Sequence, residues 1–147
     1  MKKIAIRGSA YAVGQQLGAF GREAWHTKIR QTALWQTVTA LKTAEQTQRM
    51  RAAVQAQRPQ IWQELEGMAE GLQAPGDEVF AWNCRGDLVR STSDGCTTLA
   101  GISAEGELII AHNEDGFPQL RGDCAIVHVT PDVGLAFTSF AYPGSLC

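Results

Sequence analysis

A thiol directly behind a glycine carbonyl, in the run Asp94-Gly95-Cys96-Thr97, is the group in this 147-residue chain best placed to do chemistry. A cysteine can attack the carbonyl carbon of the residue before it. The C–N bond breaks, the nitrogen takes up a proton, and the upstream chain is held as a thioester until water releases it. The residue on the upstream side must be small and must tolerate an uncommon backbone conformation, and Gly95 meets both needs. Cys96 would then begin a new chain, carrying a thiol and an α-amine together. That amine, with an ordinary pKa of roughly 7.7–8.0, can act as base for its own thiol. Thr97 and Thr98 offer hydroxyls to hydrogen-bond the new terminus, and the run His112-Asn113-Glu114-Asp115 follows one hairpin later.

The other reactive side chains point to less. Gly-Cys taken alone also describes a turn-to-strand junction with a buried thiol. Cys84 and Cys124 read as small buried hydrophobes. None of the four cysteines forms a C-x-x-C pair, so no structural zinc is expected, and no disulfide framework either. His112, Glu114, Asp115 and Asp123 hold metal-ligating groups, but neighbours along a strand point to opposite faces, so no metal site is expected there. Trp25, Trp35, Trp62 and Trp82 read as core anchors, Asp77, Glu78 and Asp87 as helix-terminal charges. His26 and His128 have no evident partner.

Composition sets the frame for these residues. An apolar fraction of 44%, a charged fraction of 19% and a net charge of −2 describe one globular domain over residues 1–147. Nothing in the balance attracts nucleic acid, and Arg49, Arg51 and Arg58 read as a solvated helix face. No run reaches the ~20 apolar residues of a bilayer span. The apolar residues after Met1-Lys2-Lys3 are broken at once by Arg7, which excludes a secretion signal there, so a cytoplasmic protein is expected.

The elements that must position Cys96 fall into two textures. Lys3 to Ile6 reads as a short strand, and Gly8-Ser9 opens a long helix. In it Gly14, Gly18 and Gly21 recur near helical spacing and let another backbone approach. Leu34, Val38 and Leu41 form one stripe. Pro59 suits the first turn of a helix whose Ile61, Leu65, Met68 and Leu72 repeat at i, i+4, i+7, i+11, closed by Gly71 and Pro75. Asp77 suggests the N-cap of a further helix carrying Val79, Phe80, Trp82 and Cys84. Beyond Arg90 the pattern becomes strand and turn: 96–102, 107–112, 124–130 and 135–141, with turns at Ala104-Glu105-Gly106 and Pro131-Asp132-Val133-Gly134. The expected class is α+β, helices first, then antiparallel strands.

Four stretches carry a resemblance to a known family: Glu64-Leu65-Glu66-Gly67-Met68-Ala69-Glu70-Gly71, Val79-Phe80-Ala81-Trp82-Asn83-Cys84-Arg85, Asp94-Gly95-Cys96-Thr97-Thr98, and Gly106 through Asp115 ending in Asn-x-Asp. Their order and spacing resemble the acyl-coenzyme A:6-aminopenicillanic acid acyltransferases, the C45 peptidases, which are N-terminal nucleophile (Ntn) hydrolases. The run from Gly8-Ser9 through Gly14 to Gly21 adds to the likeness. The resemblance implies an incomplete αββα sandwich, with 1–95 as pro-segment or α-chain and 96–147 as the start of a catalytic β-chain. It implies Cys96 as nucleophile, Asp115 as the acid that holds the amine and its network, and Asn113 as the residue orienting that strand end. Position 112 departs from the pattern, being His where related bile salt hydrolases place Arg, and His112 reads either as a packed or solvent-facing ring or as a substrate contact or proton carrier. Family members continue past a stretch similar to Pro143-Gly144-Ser145-Leu146-Cys147, and the continuation supplies more sheet and an oxyanion-stabilising asparagine.

The expected function is therefore a self-processing cysteine hydrolase or acyltransferase. It would act on small-molecule amides or acyl thioesters through an acyl-Cys96 intermediate, without a cofactor, acyl-coenzyme A entering only as substrate. The competing expectation is a truncated, non-catalytic piece that exposes an unpaired sheet edge and binds a complementary chain or itself.

Overall fold

The computed structural model describes residues 1–89, 96–113 and 116–147. Strand β1 (Lys2–Gly8) leads through the N-cap Ser9 into α1 (Ala10–Thr27). The Ser9 hydroxyl accepts from the Ala12 backbone N–H at 3.3 Å, satisfying one of the donors a helix start leaves open. Helices α2 (Ala33–Ala40), α3 (Glu45–Gln57), α4 (Pro59–Leu72), α5 (Gly76–Asn83) and α6 (Arg85–Leu88) follow. The strands β2 (Thr97–Ile102), β3 (Leu108–Asn113), β4 (Ala125–Pro131) and β5 (Phe137–Ala141) complete an α+β order.

The glycines of α1 do bring another backbone close, and the partner is α4. A Cβ on Gly14 would lie 1.8 Å from the Glu64 carbonyl oxygen, and one on Gly18 2.3 Å from that of Met68. Gly67 and Gly71 of α4 meet the Tyr11 and Gln15 carbonyls in the same way, at 2.0 and 2.1 Å. Small residues on both helices thus remove the side-chain layer between them. Leu65, Met68 and Leu72 of the α4 stripe are buried, whereas Ile61 is 41% exposed. Trp25, Trp35 and Trp82 pack as a cluster with ring centroids 4.7–6.1 Å apart, Trp25 edge-on to both others.

Two sheets form among the described residues. The larger runs β1-β4-β5, and its helix-facing side holds Ile6, Ala125, Val127, Val129 and Ala141, all buried. The smaller is the β2–β3 hairpin, paired from Thr97↔Asn113 to Ile102↔Leu108. Two sequence expectations are corrected here. The strands beyond Arg90 pair antiparallel as expected, β2 with β3 and β4 with β5, but the larger sheet is not wholly antiparallel: β1 runs parallel to β4, Lys2↔Ala125 through Gly8↔Pro131, because the helices separate them and return the chain in the same direction. Asp77 is not the N-cap of α5. Pro75 holds that position, and Asp77 lies in the first turn, 3.3 Å from Lys42 Nζ.

Three polar residues also differ from the sequence reading. Arg51 does not lie on a solvated face; its guanidinium stacks 5.9 Å from the Trp62 ring and 5.6 Å from Phe80. His26 Nε2 is 2.8 Å from the Leu72 carbonyl, which accepts from it, and His128 Nδ1 is 3.0 Å from the Thr138 hydroxyl.

Candidate functional site

The hairpin and the larger sheet face each other across an open cleft of about 1150 Å³. Alternation along the strands fixes what lines it. On the sheet side, Ile126 and Phe140 form a cross-strand pair, opposite in face to the buried Val127. On the hairpin side, Thr98, Ile110 and His112 share one face, Thr98 directly opposite His112. The segment before β4 adds Phe117, Leu120 and Arg121 to the lining.

At the open end of the hairpin the sequence-predicted residues meet. Cys96 is exposed and immediately precedes β2. Thr97 pairs with Asn113 and Thr98 with His112, so Cys96, Thr97, Asn113 and His112 occupy one strand end. Gly95 and Asp115, the proposed cleavage residue and acid, lie outside the described residues. Of the two threonine hydroxyls, Thr98 Oγ1 is committed to His112 Nδ1 at 2.8 Å, which fixes the imidazole ring on the cleft wall. The ring lies 6.3 Å from that of Phe140, which in turn meets Tyr142 edge-on at 5.1 Å.

Tyr142 was not singled out by sequence, yet it shapes this corner. A Cβ added to Gly116 would sit 1.5 Å from the Tyr142 hydroxyl, so the phenol rests on the Gly116 backbone. Its only sequence signal is an aromatic at the end of a strand before Pro143-Gly144, which does not reveal a contact to residue 116.

The remaining cysteines are differently placed. Cys84 is half-buried, and burial together with the nearby Asp87 carboxylate pushes its thiol up to about 11. Cys124 lines the cleft, its sulfur 3.6 Å from the Leu120 carbonyl. Among the described residues, no group of three His, Cys, Asp or Glu side chains is arranged to hold a metal. No helix among them is long and apolar enough to cross a membrane. No known family's profile matches the chain, and no curated protein matches it significantly.

Chemically, the strand end offers one accessible thiol, a ring nitrogen held in place by a hydroxyl, and a carboxamide, beside a cleft large enough for a small organic molecule.

Proposed function

We propose that this chain is the amino-terminal part of a self-processing cysteine Ntn hydrolase or acyltransferase, built on an incomplete αββα sandwich. The observation that carries the reading is the position of Cys96: exposed, directly ahead of β2, and next to the pairs Thr97↔Asn113 and Thr98↔His112, of which Thr98, His112 and Asn113 line the cleft. Cys96 stands two residues before the cleft-lining Thr98, the spacing at which residues of an extended strand share a face.

In the first stage Cys96 Sγ attacks the Gly95 carbonyl carbon, the Gly95–Cys96 C–N bond breaks, and the nitrogen becomes an amine. Water then cleaves the thioester, giving a Gly95 carboxylate and restoring the thiol. In the second stage the α-amine takes the thiol proton and the thiolate attacks a substrate carbonyl. The amine or thiol leaving group departs with that proton. The acyl-thioester passes its acyl group to water or to an acceptor amine. Asp115 holds the α-amine, Asn113 orients the strand end, and His112 and Thr97 contact substrate or carry a proton.

The test is mass spectrometry under denaturing conditions. Self-cleavage gives one piece ending at Gly95 and one beginning at Cys96, and Cys96→Ala abolishes both. A chain that stays whole, with Cys96 no more reactive toward an acylating ester than a surface thiol, refutes the proposal.

A second reading, a non-catalytic interaction piece, has its own support. The hairpin is apolar and exposed on both faces, with Leu99, Ile102, Leu108 and Ile110 all 66–70% exposed. On that reading Leu99→Lys with Ile109→Lys reduces concentration-dependent association measured by light scattering, while an uncut chain keeps its binding to a complementary chain.

A further inference from the structure

The cleft between the hairpin and the sheet combines an apolar lining with polar side chains and one guanidinium-bearing residue. Ile110, Phe117, Leu120, Ile126 and Phe140 make its apolar surface. Arg121 also lines it, and no Asp or Glu is among the described lining residues. The nearest acid in sequence, Asp123, is committed elsewhere: its Oδ2 lies 2.5 Å from Lys28 Nζ. Arg121 itself makes no ion pair with any described residue. A guanidinium beside an apolar lining is suited to a carboxylate or sulfonate, two oxygens of which it can grip through two parallel N–H donors.

From this pairing we infer that the cleft binds a small monoanionic amphiphile, with its apolar body between Ile110, Ile126 and Phe140 and its anionic group at Arg121. The inference rests on the reading in the preceding subsection only where it calls this molecule the acyl part of a substrate. Binding itself needs no reaction at Cys96.

Two probes of matched body separate the contributions. 8-Anilinonaphthalene-1-sulfonate carries the anion; N-phenyl-1-naphthylamine has the same rings without it. Both are titrated by fluorescence against the full chain carrying Cys96→Ala, so that self-cleavage plays no part. The sulfonate is expected to bind about tenfold more tightly than the neutral probe, the scale of one charge-assisted contact. Arg121→Gln is expected to remove that difference and leave the neutral probe's affinity unchanged. Ile126→Lys, in the cleft, weakens the neutral probe, whereas Leu99→Lys, outside the lining, leaves both probes unaffected. Equal binding of the two probes to the native sequence at position 121, or loss of binding on Leu99→Lys in place of Ile126→Lys, overturns the inference. Because cleavage is read separately by mass, a cut chain without sulfonate selectivity refutes the ligand class alone. An uncut chain with it refutes the catalytic reading alone.

Discussion

Replacing Gly14 with alanine sets two effects of opposite sign against each other. In a solvated helix interior the change stabilises by about 0.8–1.0 kcal/mol, because alanine has the better helix propensity. At Gly14 the new methyl would lie 1.8 Å from the Glu64 carbonyl oxygen and 2.9 Å from the Met68 backbone nitrogen. Both are backbone atoms, so no side chain can swing away. Ordinary contact begins near 3.4 Å, so the two helices must move apart by about 1.6 Å at this point (3.4 − 1.8). A gap of 0.5–1 Å already forfeits a quarter to a half of the dispersion between facing atoms, and overpacking typically costs 1–3 kcal/mol. The expected net result is a loss of about 2 kcal/mol or more, a large share of the 5–15 kcal/mol that holds a typical domain folded. Urea unfolding followed by far-ultraviolet circular dichroism reads it as a lower midpoint at unchanged slope. Gly86 in α6 is the control, since a Cβ there meets nothing within 4 Å. Gly86→Ala is expected to be neutral or mildly stabilising. A Gly14→Ala chain as stable as the Gly86→Ala chain would refute the close packing of α1 on α4.

Asn83 clasps the last residues of the chain: its Nδ2 donates to the Val79 and Gly144 carbonyls at 2.9 and 3.0 Å, and its Oδ1 accepts from the Leu146 N–H at 2.9 Å. Asn83→Ala removes three bonds of about 1 kcal/mol each, so a loss of about 3 kcal/mol is expected by urea unfolding. Iodoacetamide at pH 7.5 should alkylate the exposed Cys96 well before Cys84, checked by peptide mass; comparable rates would contradict the burial of Cys84. The Cys84 thiol is raised from 9.0 to about 11 in the folded chain, so its contribution to stability is whole below pH 9 and declines as the pH rises toward 11. Cys84→Ala should flatten the fall in thermal midpoint over that interval.

Much of the helical half was legible because its signals are local. Pro59, Ser9 and the 3.6-residue stripe of α4 each act within one or two turns. The glycine spacing in α1 announced a close neighbour, but not that α4 would answer with glycines of its own. The parallel β1–β4 pair was not legible, since alternation within a strand says which face is buried and nothing about which strand lies beside it. The Asp77 cap failed because a proline two residues earlier sets the entry to α5. At the candidate site, the adjacency of Cys96, Asn113 and His112 followed from the hairpin register. Thr98 as the partner of His112 and Tyr142 lodged on Gly116 did not, because each depends on side chains meeting across strands or layers.

The parallel ladder joins the opening strand of the chain to one that begins at Ala125, and the Asn83 clasp ties α5 to Gly144 and Leu146. Any backbone break between α6 and β2 therefore leaves each half hydrogen-bonded to the other at several separate places, the Lys28–Asp123 pair among them. A nicked molecule would migrate through a gel-filtration column with the same elution volume as its uncut precursor, and its halves would part only in denaturant. The same wiring means that β1 leaves the ribosome long before its partner strand exists, so the sheet closes late in synthesis, after the helices have packed.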